Sequence, residues 1–230
     1  MKLVFRDSRV VVYDNTFSPA EFQLVWDHVR SEPYGSPSQS RWEKVWHLND
    51  GSPVMSRSRQ YSQRPFHNVF DVVMTRFISV LHENEALVGR EGVDWEDFSL
   101  TTHIYQRGTK ISGHRDAGRY AGSCLVYIHP EWSSFWGGEL FIPEEGHDST
   151  TLESVPMNQF EDGNDRRPPG SEFGLYIVPR PNRLVLTAPD TYHYTSRVDP
   201  DAGENLRCSI NGFLLKTNDF SRDDRIIIDA

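Results

Sequence analysis

The chain has 230 residues, 33 acidic against 24 basic, a formal net charge of -9 and 37% hydrophobic residues. That acidic balance argues against the basic face needed to track a nucleic-acid backbone. The composition is globular, sized for one domain over 1–230 with a substantial core, and no apolar run approaches the length of a membrane span.

The start, Met1-Lys2-Leu3-Val4-Phe5-Arg6-Asp7, lacks the apolar block of a secretion signal, which sets the expectation of a cytoplasmic protein. Val10 to Tyr13 reads as a strand. Ser18-Pro19-Ala20-Glu21 then reads as a helix start. Ser18 is the capping residue, Pro19 fits the first helical position, and Glu21 is placed to close a capping box. Phe22, Val25, Trp26 and Val29 form the apolar stripe of that helix. The stretch from Ser31 to Pro65 is polar and broken by Pro and Gly, with Trp42 and Trp46 set among charges. A longer helix is predicted from Asn68 to Glu85 by the spacing of Val69, Val72, Val73, Phe77, Val80 and Leu81.

Strands dominate the remainder of the chain. Leu100 to Tyr105 alternates and is β-rich, and Gln106-Arg107-Gly108-Thr109 breaks it as a turn. Ser123 to Ile128 is a short apolar run suited to a buried strand. Trp136-Gly137-Gly138 is a tight turn feeding Glu139 to Ile142, Arg183 to Thr187 is a strand leading to His193, and Leu206 to Leu215 is a further strand. Between them, 144–173 is acidic, polar and rich in turn residues; with the Trp42/Trp46 segment it is a candidate substrate entrance. Helices early and strands late fit a mainly β fold braced by helices, with helical support over about 1–95 and the β core over about 96–216. Cys124 and Cys208 both sit in strand patterns and read as small buried hydrophobes rather than a disulfide or a metal pair.

The chemistry concentrates on a few of these strands. His114-Arg115-Asp116 and the distant His193 offer two imidazoles and a carboxylate, which can cover one face of an Fe(II) ion and leave its other positions open. His129-Pro130-Glu131 is a second His-x-carboxylate, set aside because Pro130 and the Glu-Trp-Ser-Ser run after it read as a loop. Arg207 and Ser209 stand two apart and point to the same side of their strand. A guanidinium buried there needs an anionic partner, and its fork can grip a carboxylate through two oxygens. Two imidazoles and a carboxylate also suit zinc, which would support hydrolysis without O2, or a structural metal in a cupin-like binding module.

Tyr105, Gly108, His114, Asp116, Cys124-Leu125-Val126-Tyr127-Ile128, Trp132, Gly137-Gly138-Glu139-Leu140, Arg183, His193, Val198, Arg207, Ser209 and Gly212-Phe213 together resemble the iron(II)- and 2-oxoglutarate-dependent dioxygenases, nearest their prolyl-4-hydroxylase-like branch. The likeness runs through most of the β-rich half, from Phe98 to Lys216. It implies a double-stranded β-helix, the jelly-roll or cupin-like core. It implies His114, Asp116 and His193 as iron ligands, and Arg207 pairing with the far carboxylate of 2-oxoglutarate beside Ser209. Tyr127 would help hold that carboxylate and Tyr105 would line the same pocket. Collagen-type relatives place lysine where this chain has Arg207, which shifts the subgroup and keeps the function. Halogenating relatives lack the carboxylate that Asp116 retains, so the expected reaction is hydroxylation, ring closure or desaturation. Fe(II), 2-oxoglutarate and O2, with ascorbate as a further reductant, are the implied cofactors. The expected acceptor is a small molecule of natural-product or amino-acid metabolism, with a peptidyl proline as the alternative. No membrane or nucleic-acid partner is expected, and the chain would act as a monomer or homodimer.

Overall fold

In a computed structural model, the described residues are 1–36, 50–144 and 173–217. The Trp42/Trp46 segment and almost all of 144–173 lie outside them, so the proposed entrance does too.

Two antiparallel sheets make the body. The strands are β1 (Lys2–Arg6), β2 (Val10–Asp14), β3 (Val54–Met55), β4 (Arg59–Gln60), β5 (Trp95–Tyr105) and β6 (Ile111–His114). They continue with β7 (Tyr120–Tyr127), β8 (Leu140–Pro143), β9 (Gly174–Ile177), β10 (Arg183–Thr187), β11 (His193–Thr195) and β12 (Arg207–Lys216). The larger sheet runs β1-β2-β10-β7-β12-β5-β3, with β4 also paired to β5, and the smaller runs β6-β11-β8-β9. The amino-terminal region thus supplies strands as well as helices, because β2 pairs with the distant β10.

Alternation sorts the side chains of the larger sheet. On β12, Cys208, Ile210 and Leu214 join Val126 and Cys124 of β7 and Leu184 and Leu186 of β10 under the helices. Their neighbours Tyr127, Leu125 and Val185 turn the other way and pack against Leu140, Ile142 and Ile177 of the smaller sheet. The space between the sheets therefore receives Arg207, Ser209 and Asn211, the residues that alternate with Cys208 and Ile210.

Among the described residues, three α-helices cover the outer face. In α1 (Pro19–Ser31), the Ser18 hydroxyl accepts from Glu21 N–H, and the Glu21 carboxylate accepts from Ser18 N–H, as the capping box requires. Val25 and Val29 are buried, with Phe22 and Trp26 packed beside them. In α2 (Phe70–Glu83), the buried stripe is Phe70, Val73, Met74, Phe77, Val80 and Leu81. Val72 is exposed; the phase set by Phe70 and Met74 carries Val72 to the solvent side. The Phe77 ring meets Phe98 of β5 edge-on at 5.7 Å, pinning the helix to the sheet. A short α3 (Glu85–Val88) follows. Among the described residues no helix is long and apolar enough to cross a membrane. Cys124 and Cys208 are free and buried.

Candidate active site

β6 and β11 are neighbours in the smaller sheet, and their register sets His114 opposite His193. The imidazole centroids lie 4.4 Å apart. Asp116 follows two residues beyond the end of β6, and one ligand atom from each of His114, Asp116 and His193 falls within 4.8 Å of the others. Asp116 lies in the connection between β6 and β7, and His193 opens β11, the strand that follows β10.

The surroundings fix how these groups present themselves. The Nδ1 of His114 lies 2.8 Å from the Ser112 carbonyl, and that of His193 lies 2.9 Å from the Thr191 carbonyl. A carbonyl can only accept, so both Nδ1 atoms carry hydrogen and each Nε2 bears the lone pair that could ligate an ion. His114 Nε2 and Asp116 Oδ1 are 3.7 Å apart, and the other carboxylate oxygen accepts from Ser123 Oγ at 2.7 Å. Ser123 is itself within 2.7 Å of Thr187 Oγ1, whose hydroxyl also reaches the Ser123 carbonyl. One carboxylate oxygen and two imidazole nitrogens form a donor set that suits Fe(II).

Arg207 lies on the inner face of β12, 2% exposed. Its Nε donates to the Gly138 carbonyl at 2.7 Å and its Nη2 to the Tyr127 hydroxyl at 3.4 Å. The guanidinium carbon stands 4.7 Å from the Tyr105 ring centre and 4.9 Å from that of Tyr127. Among the described residues no carboxylate pairs with Arg207. A buried charge held by a carbonyl, a hydroxyl and ring faces is under-compensated, and a ligand carboxylate would complete it. Ser209, fully buried two residues along, has a hydroxyl with no hydrogen-bond partner among the described residues. Burial pushes the phenols of Tyr105 and Tyr127 up, against the opposing pull of Arg207. Both stay protonated, and Tyr127 can donate to an anion beside Arg207.

Of the seven residues singled out from the sequence, the structure thus brings His114, Asp116 and His193 together and sets Arg207 against Tyr105 and Tyr127, with Ser209 opposite Tyr127 in the strand register. Several of their supports were not read from the sequence in that role. Gly138, at φ +73°, lets β8's approach pass close to Arg207: a Cβ there would come within 2.7 Å of Arg207 Cδ. Ser123 and Thr187 read only as strand residues, and the backbone carbonyls of Ser112 and Thr191 leave no mark in a sequence. His129, of the second His-x-carboxylate motif, is buried away from the cluster. Its Nδ1 accepts from Cys208 N–H at 3.1 Å, so Nε2 carries hydrogen and donates to the Pro179 carbonyl at 2.6 Å. Desolvation by burial lowers its pKa to about 4, and it stays neutral behind the strand that carries Arg207.

No model of a known protein family matches the chain, and neither does any curated protein sequence. Solved structures do. A prolyl-4-hydroxylase from Pseudomonas putida is 13% identical with a TM-score of 0.56, covering 90% of this chain and 92% of its own. A prolyl hydroxylase from Trichoplax adhaerens, in complex with a hypoxia-inducible-factor peptide fragment, is 14% identical with a TM-score of 0.60, over 90% and 83% of the two chains. The epimerase SnoN from nogalamycin biosynthesis is 14% identical with a TM-score of 0.53. Its complex with Fe3+, alpha-ketoglutarate and nogalamycin RO matches over 90% of this chain and 78% of its own. The chain therefore has the double-stranded β-helix fold of the 2-oxoglutarate–Fe(II) oxygenases, in the form shared with the prolyl-4-hydroxylases.

Proposed function

We propose that this protein is an Fe(II)- and 2-oxoglutarate-dependent dioxygenase that oxidises a small molecule and releases succinate and CO2. Two observations together carry the reading: a cluster of two imidazoles and a carboxylate, and, on β12 of the same fold, a buried guanidinium that lacks an anionic partner among the described residues. A structural metal or a hydrolytic zinc would account for the cluster. Neither gives Arg207 a task.

In this reading His114, Asp116 and His193 hold the metal, each already oriented by its own partner: Ser112 carbonyl, Ser123 hydroxyl and Thr191 carbonyl. Arg207 receives the far carboxylate of 2-oxoglutarate, the Tyr127 hydroxyl donates beside it, and Ser209 stands on the same strand face. Tyr105 walls the guanidinium from water and spreads its charge over a ring face. Bound Fe(II), with 2-oxoglutarate and O2, supplies the oxidising equivalents for hydroxylation, ring closure or desaturation. The chain contributes ligand geometry and a fixed orientation for the oxo acid.

The small-molecule acceptor is supported by the likeness to SnoN, whose complex holds a nogalamycin compound. The Trichoplax complex, which holds a peptide, favours a peptidyl acceptor as the second reading. Succinate release from Fe(II)-loaded protein, with fractionated metabolites in one arm and proline-containing peptides in the other, separates them. O2-dependent succinate stimulated by a metabolite is the expected result. Stimulation by peptides alone would replace the substrate assignment. Absence of O2-dependent succinate throughout, or hydrolysis without O2, would overturn the enzyme assignment.

A further inference from the structure

One buried polar group in the cavity has no task in the scheme above. Asn211 follows Arg207 and Ser209 on the inward side of β12, alternating with Cys208 and Ile210, which pack beneath the helices. Its register partner Leu125 packs on the cluster between the sheets, which confirms the face. Among the described residues the Asn211 Oδ1 is buried without a hydrogen-bond partner, as is the Ser209 hydroxyl. Amide oxygen and nitrogen can exchange places by a flip, so either end of the side chain can be the one turned to the cavity.

Register gives the group its address. Moving along β12, Ser209 pairs with Tyr127, Asn211 with Leu125 and Phe213 with Ser123. Ser123 is the residue that holds the Asp116 carboxylate. Tyr127 is the residue that touches Arg207. Asn211 therefore occupies the rung between the metal cluster and the anion anchor, roughly 7 Å along the strand from its neighbours on either side.

Resting on the function proposed above, we infer that Asn211 is a cosubstrate-binding residue. It donates from its side-chain amide to the 2-oxo-carboxylate head of the cosubstrate, while Arg207 takes the far carboxylate. A 2-oxo acid offers only acceptors at that end, so a neutral donor is the chemistry required, and a carboxylate at this position would repel it. The proposal assigns separate ends of one ligand to separate residues, and the ends can be probed separately.

The test titrates three probes into Mn(II)-loaded protein without O2: 2-oxoglutarate, 2-oxobutyrate (an oxo head with no far carboxylate) and glutarate (two carboxylates with no oxo group). Asn211→Leu is expected to weaken 2-oxoglutarate and 2-oxobutyrate by about tenfold, and glutarate, which lacks the oxo acceptor, by less. Arg207→Met is expected to weaken 2-oxoglutarate and glutarate, leaving 2-oxobutyrate unchanged. Asn211→Asp, of the same shape, should weaken the oxo acids at least as much. Melting of the metal-free protein separates ligand binding from scaffolding: removing an orphaned amide should leave Asn211→Leu as stable as wild type or more so. Equal affinities of wild type and both Asn211 variants for 2-oxobutyrate would overturn the inference while leaving the oxygenase reading intact. So would equal weakening of all three probes together with a lowered melting temperature. Failure of wild type to bind 2-oxoglutarate at all would instead overturn the oxygenase reading on which the inference stands.

Discussion

Replacing Arg207 by methionine asks most sharply whether this guanidinium serves a ligand or the fold. In the folded protein the change forfeits a charge-assisted hydrogen bond to the Gly138 carbonyl, worth about 1.5–3 kcal/mol. It also loses two ring contacts, with Tyr105 and Tyr127, at about 1–2 kcal/mol each when desolvated. Against this, a buried charge without an anion costs several kcal/mol, which the methionine removes while filling similar space. The two sides are of similar size, so the melting temperature of the ligand-free variant should stay within a few degrees of wild type. Binding has no such compensation. Truncating one partner of a buried charge pair costs about 2–5 kcal/mol, or about 30-fold to several thousand-fold in the Kd of 2-oxoglutarate. Metal affinity should be unaltered. The assay is calorimetric titration of 2-oxoglutarate into metal-loaded protein, paired with thermal melting. A Kd close to wild type, or a collapsed melting temperature with binding retained, would refute the reasoning.

Three further outcomes rest on the same geometry. Ser123→Ala removes the hydroxyl that holds Asp116 Oδ2, and metal affinity should fall about 10- to 100-fold with the fold intact; metal titration checks it. His129 has a folded pKa of about 4 against its ordinary 6.5. The unfolded chain therefore binds this proton first, and stability present above pH 6.5 is lost as pH falls toward 4, up to roughly 3 kcal/mol. Denaturant midpoints at several pH values should show that loss in wild type and a weaker slope in His129→Gln; parallel slopes would count against it. Gly138→Ala, which sets a Cβ against the Arg207 side chain in a left-handed backbone, should raise the Kd for 2-oxoglutarate more than that for the metal, read by the same titrations.

How much of this was legible depends on which physical signal each part leaves. Strand β10 coincides with the apolar run Arg183–Thr187 without error, and β12 is displaced by one residue, because their alternation is enforced by cores on both faces. The helix at Pro19 was announced by Ser18 and Glu21, whose mutual hydrogen bonds are local in sequence. The phase of α2 was harder: Val72 reads as core by residue type alone, and only Phe70 and Met74 docking on the sheet turns it outward. Strand β1 left no interior signal, since all five of its residues are exposed and its position is owed to pairing with β2. Strand β6, four residues with a glycine, is too short for a pattern. At the site, the residues that meet a ligand were found because their side chains are chemically distinctive. Their supports were not, since a serine holding a carboxylate, a glycine making room or a backbone carbonyl holding an imidazole acts through position rather than type.

The central claim is that His114, Asp116 and His193 bind Fe(II) and that 2-oxoglutarate binds to the same ion. Anaerobic addition of Fe(II) and then 2-oxoglutarate, with visible absorption as the readout, measures it directly. The account expects a charge-transfer band in wild type that requires both additions and is lost in Asp116→Ala. No band in wild type, or an undiminished band in Asp116→Ala, would contradict it.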